Sequence, residues 1–208
     1  MSDIQFMEKP DWVSWDDVIE CIRTADTVNH KKGFRMHIAT KTPEEIREDL
    51  KDGKCFVALC DNKVIGTLSY KIRDLRKWYR IGKVIYYSYD GIRPEYRGSD
   101  VYFKLSELRD RSVKETGIRV HQCHTAVDNK VVIKMNILYG YKQVLYRPNL
   151  RNNVGYYTVT MVKWEDGCPF PDWFVKFMFA LSKMITKVFF TTEGKFKPSL
   201  KRMIKVGS

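Results

Sequence analysis

The sequence predicts a mixed α/β (α+β) domain in which helices flank a largely antiparallel sheet. Two segments of helical periodicity come first, and short runs of β-branched and aromatic residues separated by tight turns follow them. Strand and helix patterns then alternate through the second half of the chain. No run of about 20 apolar residues occurs, so we expect no ordinary transmembrane helix.

Two helices are predicted in the first 50 residues. Apolar residues recur at helical spacing over residues 11–27, which indicates a first helix with one buried face. Thr42 followed by Pro43 is a typical helix start, with a capping hydroxyl before a proline in the first helical position. This second helix runs to about Leu50, because Gly53 then ends it.

The strand patterns follow these two helices. Residues 55–60 and 63–72 predict a hairpin with a turn at residues 61–62, and residues 81–89 predict a third strand. The remaining elements are a helix from Ser99 or Asp100 to Glu115, a strand over 118–125, a short helix over 129–138, and strands over 143–146 and 156–164. A Gly- and Pro-containing break follows, so we predict a domain over residues 1–165 and a helical extension over residues 166–208.

The net charge and the cysteine content limit the binding partners and the cellular compartment that we expect for this chain. The net charge of +12 favours an acidic partner, such as nucleic acid, an anionic membrane surface, a phosphorylated cofactor or an acidic carrier protein. The five cysteines form no CxxC pair, so we expect a reducing, cytoplasmic location without a structural zinc site. The acidic N-terminal segment lacks the apolar region of a signal peptide.

Two motifs together carry a resemblance to a known family. The third strand leads into Gly91-Ile92-Arg93-Pro94-Glu95-Tyr96-Arg97-Gly98, and Asn129 and Gly140-Tyr141 flank the short helix farther on. In this combination, residues 10–164 resemble the GNAT superfamily of N-acetyltransferases. The resemblance implies a GNAT-like sheet flanked by helices, acetyl-CoA as the acyl donor, and an amine as the acceptor.

The resemblance also implies where the donor binds. The family holds the acetyl carbonyl on a strand-end amide, which is that of Ile92 here, and the pyrophosphate on a Gly-containing turn before a helix. The residues of that turn are Arg97, Gly98, Ser99, Asp100 and Val101. Asp100 and Tyr102 depart from the family, because a carboxylate repels a pyrophosphate unless its side chain turns back to cap the helix. Asn129 matches a family contact to the pantetheine arm, and it would equally serve as a helix cap.

Three residues are candidates for proton transfer. His124 lies where related enzymes have a glutamate base, and imidazole titrates near neutrality; a buried strand histidine is the alternative. Asp90 would orient an amine or act as a base, or simply end its strand. Asn136 replaces the family's tyrosine acid, so Tyr139 either substitutes for it or packs in the core. Because His121 and His124 point to opposite faces of a strand, we expect no metal site.

The C-terminal segment predicts a basic amphipathic helix. Apolar residues recur at helical spacing over residues 173–189, and residues 176–208 contain eight Lys or Arg and one Glu. One interpretation is a helix packed on the domain with a solvated basic face. The other is a peripheral membrane contact over residues 172–205, or a docking site for an acidic carrier protein.

Three functions remain open from the sequence. The first is transfer of an acetyl group from acetyl-CoA to a small-molecule or peptide amine by direct attack. The second uses an acyl carrier protein as donor, whose arm has a single phosphate and depends less on the departing Gly turn. The third is a non-catalytic GNAT-like module that binds nucleic acid or a membrane through its basic tail; no RNA-recognition or helix-turn-helix signature appears, so we do not expect nucleic acid as the partner. Acceptor binding is expected in the loops over residues 29–38 and 147–157.

Overall fold

The computed structural model of the chain divides into two compact units, which are described in turn. The first unit spans Met1–His121 and the second Gln122–Ser208. The residues that the structure describes are 4–31, 37–75, 82–149, 156–191 and 197.

The first unit is an antiparallel sheet with helices. Its described elements are β1 (Ile4–Glu8), α1 (Trp15–Lys31), a 3-10 turn (His37–Thr40), α2 (Pro43–Asp49), β2 (Gly53–Cys60), β3 (Lys63–Asp74), β4 (Lys83–Ile92), a second 3-10 turn (Pro94–Tyr96) and α3 (Val101–Glu115). The four strands lie side by side in chain order, each antiparallel to the next. The core lies where the apolar faces of α1 and α2 meet the sheet.

The helix starts follow from local capping. Ser14 Oγ accepts the Asp17 backbone N–H at 3.0 Å, so α1 begins four residues later than the sequence predicts. At α2, Thr42 Oγ1 accepts the Glu45 N–H, and Glu45 Oε2 accepts the Thr42 N–H. This capping box confirms the predicted helix start.

The second unit combines a small sheet with two helices. Its described elements are β5 (Val120–Ala126, whose first two residues belong to the first unit), α4 (Lys130–Leu138), β6 (Lys142–Asn149), β7 (Tyr156–Trp164) and α5 (Asp172–Phe189). The strand order is β5-β7-β6, with β6 and β7 antiparallel, and α5 packs on β6. The predicted α+β class and C-terminal helix are confirmed. In the described part of the chain, no helix combines the length and apolarity needed to cross a bilayer.

Candidate functional site

The last part of β4 contains a β-bulge. Thr67 of β3 pairs with Gly91, whereas Ser69 pairs with Ser88, so β4 carries one extra residue between these pairs. Tyr89 adopts a left-handed backbone conformation, with φ of +58°, to accommodate it. A bulge interrupts the ladder and redirects the side chains next to it, and the side chain redirected here is that of Asp90.

The Asp90 carboxylate ties the bulge to α3. Its Oδ1 accepts the Ser69 N–H at 3.2 Å, and its Oδ2 accepts Arg109 Nη1–H at 3.0 Å. Burial raises the pKa of the Asp90 carboxyl, although the Arg109 cation acts in the opposite direction. Since both carboxylate oxygens have partners, the structure gives Asp90 a positioning contact; a proton-transfer role for it stays a prediction.

Two glycines let helices approach the ends of β3 and β4. A Cβ on Gly91 would lie 3.3 Å from the Ile22 Cα of α1. A Cβ on Gly66 would lie 2.7 Å from Ile92 Cδ1 and 3.0 Å from Val101 Cγ1 of α3. The strand end that carries the Ile92 amide is therefore packed between α1 and the N-terminus of α3.

Arg93 fixes the chain where it leaves β4. Its buried guanidinium donates to the Val64 carbonyl at 2.7 Å and to the Glu20 carboxylate at 2.9 Å. Its backbone N–H donates to the Ile65 carbonyl at 2.9 Å. These contacts hold the strand end in place before the exposed turn begins.

Residues 97–100 form that exposed turn. Arg97 donates to the Ala25 carbonyl at 2.5 Å and to the Ile92 carbonyl at 3.4 Å, and Ser99 Oγ donates to the Tyr96 carbonyl at 2.6 Å. Gly98 has φ of +82°, and apart from its two chain neighbours nothing lies within 4 Å of the place where its Cβ would be. The turn thus needs a glycine for its backbone and leaves open space beside it.

Asp100 precedes α3 but does not cap it. Its side chain makes no capping hydrogen bond, so the interpretation of Asp100 as a side-chain cap is wrong. The carboxylate instead pairs with Lys104 Nζ at 2.7 Å, one helical turn on, and this hydrogen bond lowers the pKa of Asp100. A cation therefore offsets the charge that was expected to repel a pyrophosphate.

This turn has the features that a diphosphate requires. The Val101 N–H donates to Ser99 Oγ at 3.4 Å, whereas the amides that follow it in the first turn of α3 have no acceptors within the helix, and the helix dipole adds positive potential there. Arg97 is exposed beside them, and Gly98 leaves room for close approach. The residues present therefore fit the pyrophosphate of a coenzyme A donor.

Two of the predicted site residues in the second unit already have hydrogen-bond partners. Asn129 Oδ1 accepts the Val132 N–H at 3.4 Å, so Asn129 caps α4. On β5, His124 Nε2 lies 2.9 Å from the Gln122 side-chain nitrogen, and Arg147 contacts His124 Nδ1. Because a guanidinium cannot accept, Arg147 donates to the Nδ1 of His124.

Asn136 and Tyr139 of α4 differ in their exposure to solvent. The Asn136 side-chain nitrogen lies 3.4 Å from Cys123 Sγ and 3.7 Å from Met161 Sδ, so this residue faces inward. Tyr139 lies at the end of α4 and is 51% exposed, so the expectation that it packs in the core is wrong. Its hydroxyl is therefore accessible for a proton-transfer role, which stays a prediction.

Some predictions fall outside the described residues. Residues 32–36 and 150–155 of the expected acceptor loops are among these, as is the basic stretch 196–205 apart from Lys197. Within the described part of the chain, no group of three His, Cys, Asp or Glu side chains is placed to hold a metal ion.

The sequence interpretation missed three cations that pair with site residues. Arg109 lies on the buried stripe of α3 with Val101 and Leu105, and a charge within an apolar stripe was the available signal. Lys104 follows Asp100 by four residues, which is the spacing of a helical ion pair. Arg147 gave no local signal, since it meets His124 from another strand.

Comparison with known proteins identifies the fold. No family model and no curated protein matches the chain. An acetyltransferase of the GNAT family from Staphylococcus aureus Mu50 matches with a TM-score of 0.59 and 14% identity, covering 78% of this chain and 99% of that chain. A GNAT family acetyltransferase from Elizabethkingia anophelis with acetyl-CoA bound matches with a TM-score of 0.53 and 12% identity, covering 79% of this chain and 99% of that chain. The NatC complex bound to Gag peptide and CoA matches with a TM-score of 0.55 and 14% identity, covering 78% of this chain and 98% of that chain. The likeness confirms the predicted GNAT-like fold.

Proposed function

We propose that this chain, which has the GNAT fold, is an N-acyltransferase that transfers an acetyl group from acetyl-CoA to an amine. The observation that carries the proposal is the bulged strand end, the open turn at Gly98 and the N-terminus of α3, which follow one another over residues 88–101. Two of the similar solved structures hold acetyl-CoA or CoA, which supports a donor of this class. We place the reaction in the cytoplasm, as the cysteine content favours.

The donor is proposed to lie along this strand–turn–helix segment. The turn, with Arg97, Gly98 and Ser99, and the first amides of α3 bind the pyrophosphate, and Lys104 offsets the Asp100 charge. The Ile92 amide is proposed to hold the acetyl carbonyl at the strand end, which Arg109 and Asp90 position. A pantetheine contact from Asn129 rests on the resemblance alone.

Proton transfer is proposed for two residues of the second unit. Acetyl-CoA supplies an activated thioester, and the protein must remove a proton from the amine. His124 is the proposed base; because its Nδ1 lone pair is taken by Arg147, Arg147 must leave this contact when an acceptor binds. Tyr139, with its exposed side chain, is the proposed proton source for the leaving thiolate.

A turnover assay tests this function. The purified chain is incubated with acetyl-CoA and a panel of amines that includes amino acids, polyamines and peptides, and free CoA and acetylated product are measured. Amine-dependent CoA release with a matching acetylated product is the expected result. Transfer from an acyl carrier protein but not from acetyl-CoA would assign the other donor. Donor binding without transfer to any amine in the panel would indicate a binding module.

A further inference from the structure

Helix α5 makes apolar and polar contacts with its own sheet, such as the packing of Phe179 on Tyr146, and it presents further apolar side chains to solvent. On the sheet side, Ser182 Oγ accepts the Tyr146 N–H at 2.9 Å, and Thr186 Oγ1 donates to the Tyr146 carbonyl at 3.1 Å. The opposite side bears four large apolar side chains that are between 53% and 69% exposed. This apolar stripe consists of Trp173, Phe177, Met184 and Val188. An apolar surface of this kind marks an interaction site.

The stripe is long and straight. Its residues recur at intervals of four and seven, so they lie along one line of the helix. From Trp173 to Val188 the line extends roughly 22 Å at the rise of an α-helix. Aromatic residues cluster at its beginning, where Phe174 packs against both Trp173 and Phe170. Aromatic side chains are favoured where a bilayer meets water.

Three lysines border the stripe. They line an open groove of about 590 Å³ together with three apolar residues. The groove residues are Lys183, Lys187, Lys197, Ala180, Met184 and Val188. Lys197 is fixed beside the end of α5, because its Nζ donates to the Lys187 carbonyl at 2.8 Å. Among the described residues, none of these three lysines pairs with a carboxylate, so their charges remain available to a ligand.

We propose that α5 binds the surface of an anionic lipid bilayer. The apolar stripe enters the boundary between headgroups and acyl chains, and the groove lysines contact lipid phosphates. The net charge of +12 favours an anionic surface and opposes a second copy of the same chain. A stripe that runs along one line for most of the helix also suits a planar partner.

A vesicle experiment tests this surface. The full chain is floated with vesicles of phosphatidylcholine and with vesicles of phosphatidylcholine and phosphatidylglycerol. Binding to the anionic vesicles, weakened by salt, is expected, with little binding to the neutral ones. Trp173→Ser combined with Phe177→Ser should weaken this binding at least tenfold, and Lys183→Glu combined with Lys187→Glu should weaken it by about tenfold.

Two control variants show whether a loss of vesicle binding is specific to the stripe and to the groove lysines. Trp12→Ser removes an indole that is 61% exposed in the first unit, and Lys63→Glu combined with Lys114→Glu reverses two exposed charges elsewhere. Both controls should bind anionic vesicles to within about twofold of the unaltered chain. Thermal unfolding and acetyl-CoA titration of each variant separate a loss of membrane binding from a loss of fold or donor site.

Two results would overturn the proposal. One is absence of binding to anionic vesicles by the folded chain. The other is binding that the stripe variants and their controls share equally. An acyl carrier protein that binds the unaltered chain, but not the stripe variants, while vesicles do not bind, would assign the face to a protein partner instead.

Discussion

Arg109 Nη1 donates to Asp90 Oδ2 at 3.0 Å and so joins the middle of α3 to the bulge of β4. The Arg109 side chain is 8% exposed, and its guanidinium lies 4.2 Å from the centre of the Tyr87 ring. The same carboxylate accepts the Ser69 N–H, which the bulge leaves without its usual strand partner. One buried cation thus fixes both the helix and the strand end on which the proposed donor site is built.

Removing that cation should destabilise the protein. Arg109→Met leaves the Asp90 carboxylate without its counter-ion, and a loss of about 2 kcal/mol in the free energy of unfolding is expected. Urea unfolding measures it. Arg109→Met combined with Asp90→Asn should recover part of the loss. A single variant as stable as the unaltered chain would show that the pair does not support the bulge.

The contacts of Asp49 in the first unit predict that the protein loses stability in acid. Burial alone would raise the pKa of the Asp49 carboxyl, but hydrogen bonds from Lys41 and Tyr89, together with Lys71, outweigh it and hold this pKa well below its usual range. As the pH falls, the unfolded chain therefore takes up this proton before the folded chain does. The stabilisation is complete well above about pH 4, the ordinary aspartate pKa, and is lost as the pH falls below it.

Asp49→Asn should flatten this part of the acid dependence. The free energy of unfolding is measured by urea titration between about pH 6 and pH 3, where the unaltered chain loses more stability than the variant. Asp52→Asn, which removes a nearby exposed carboxyl, is the control and should follow the unaltered chain. Equal slopes for Asp49→Asn and Asp52→Asn would contradict the assignment.

The glycine beneath α3 should tolerate no side chain. In Gly66→Ala the new methyl would press on Ile92 and Val101, and a loss of about 2 kcal/mol in unfolding free energy is expected. Gly98→Ala meets only the strain of its positive φ, which costs about 1 kcal/mol, because the space around it is open. Urea unfolding of both variants gives the order; a larger loss for Gly98→Ala would contradict it.

The Asp100–Lys104 pair should govern donor affinity. Lys104→Met leaves the Asp100 carboxylate uncompensated at the N-terminus of α3, so acetyl-CoA should bind about threefold to fivefold more weakly in calorimetry. Adding Asp100→Asn to this variant should restore the affinity, and Lys114→Met at the far end of the helix should not alter it. Unchanged affinity in Lys104→Met would show that the carboxylate lies away from the donor.

Replacing the proposed base should change the pH dependence of turnover. His124→Ala should lower kcat by about a hundredfold, with a smaller loss at high pH, where more of the amine is already deprotonated. The pH–rate profile of the variant and of the unaltered chain is the measurement, with urea unfolding as the control for folding. A profile of unchanged shape would remove His124 from the mechanism.

The sequence predicts most of the fold because its signals are local. The start of α2 is encoded by Thr42, Pro43 and Glu45, and the hairpin of β2 and β3 by a turn of two polar residues with positive φ. The five-residue strand β1 was not predicted, since it is short and Met7 breaks the alternation that Ile4, Gln5 and Phe6 begin. Phe6 of β1 pairs with Ala58 of β2, which lies about 50 positions away in the sequence. This pairing with β2 stabilises a strand that its local sequence pattern does not specify.

The sequence predicts where the backbone of the candidate site lies, but it predicts the side-chain contacts of the site less well. The strand–turn–helix segment over residues 91–101 lies where the sequence predicts it, because glycine and helix-start signals are local. The partners of Asp90 and His124 were missed, since Arg109 and Arg147 reach them from other elements. Long-range pairing of this kind depends on the fold and leaves no mark in the spacing of residues.

The central claim is that the turn at Gly98 and the N-terminus of α3 bind the pyrophosphate of an acetyl-CoA donor. Calorimetric titration of the purified chain with acetyl-CoA, CoA and 4′-phosphopantetheine tests it most directly. We expect micromolar binding of acetyl-CoA, at least tenfold tighter than that of 4′-phosphopantetheine, with Arg97→Gln removing most of the difference. Equal affinity for the two ligands, or no binding of acetyl-CoA by the folded chain, would contradict the account.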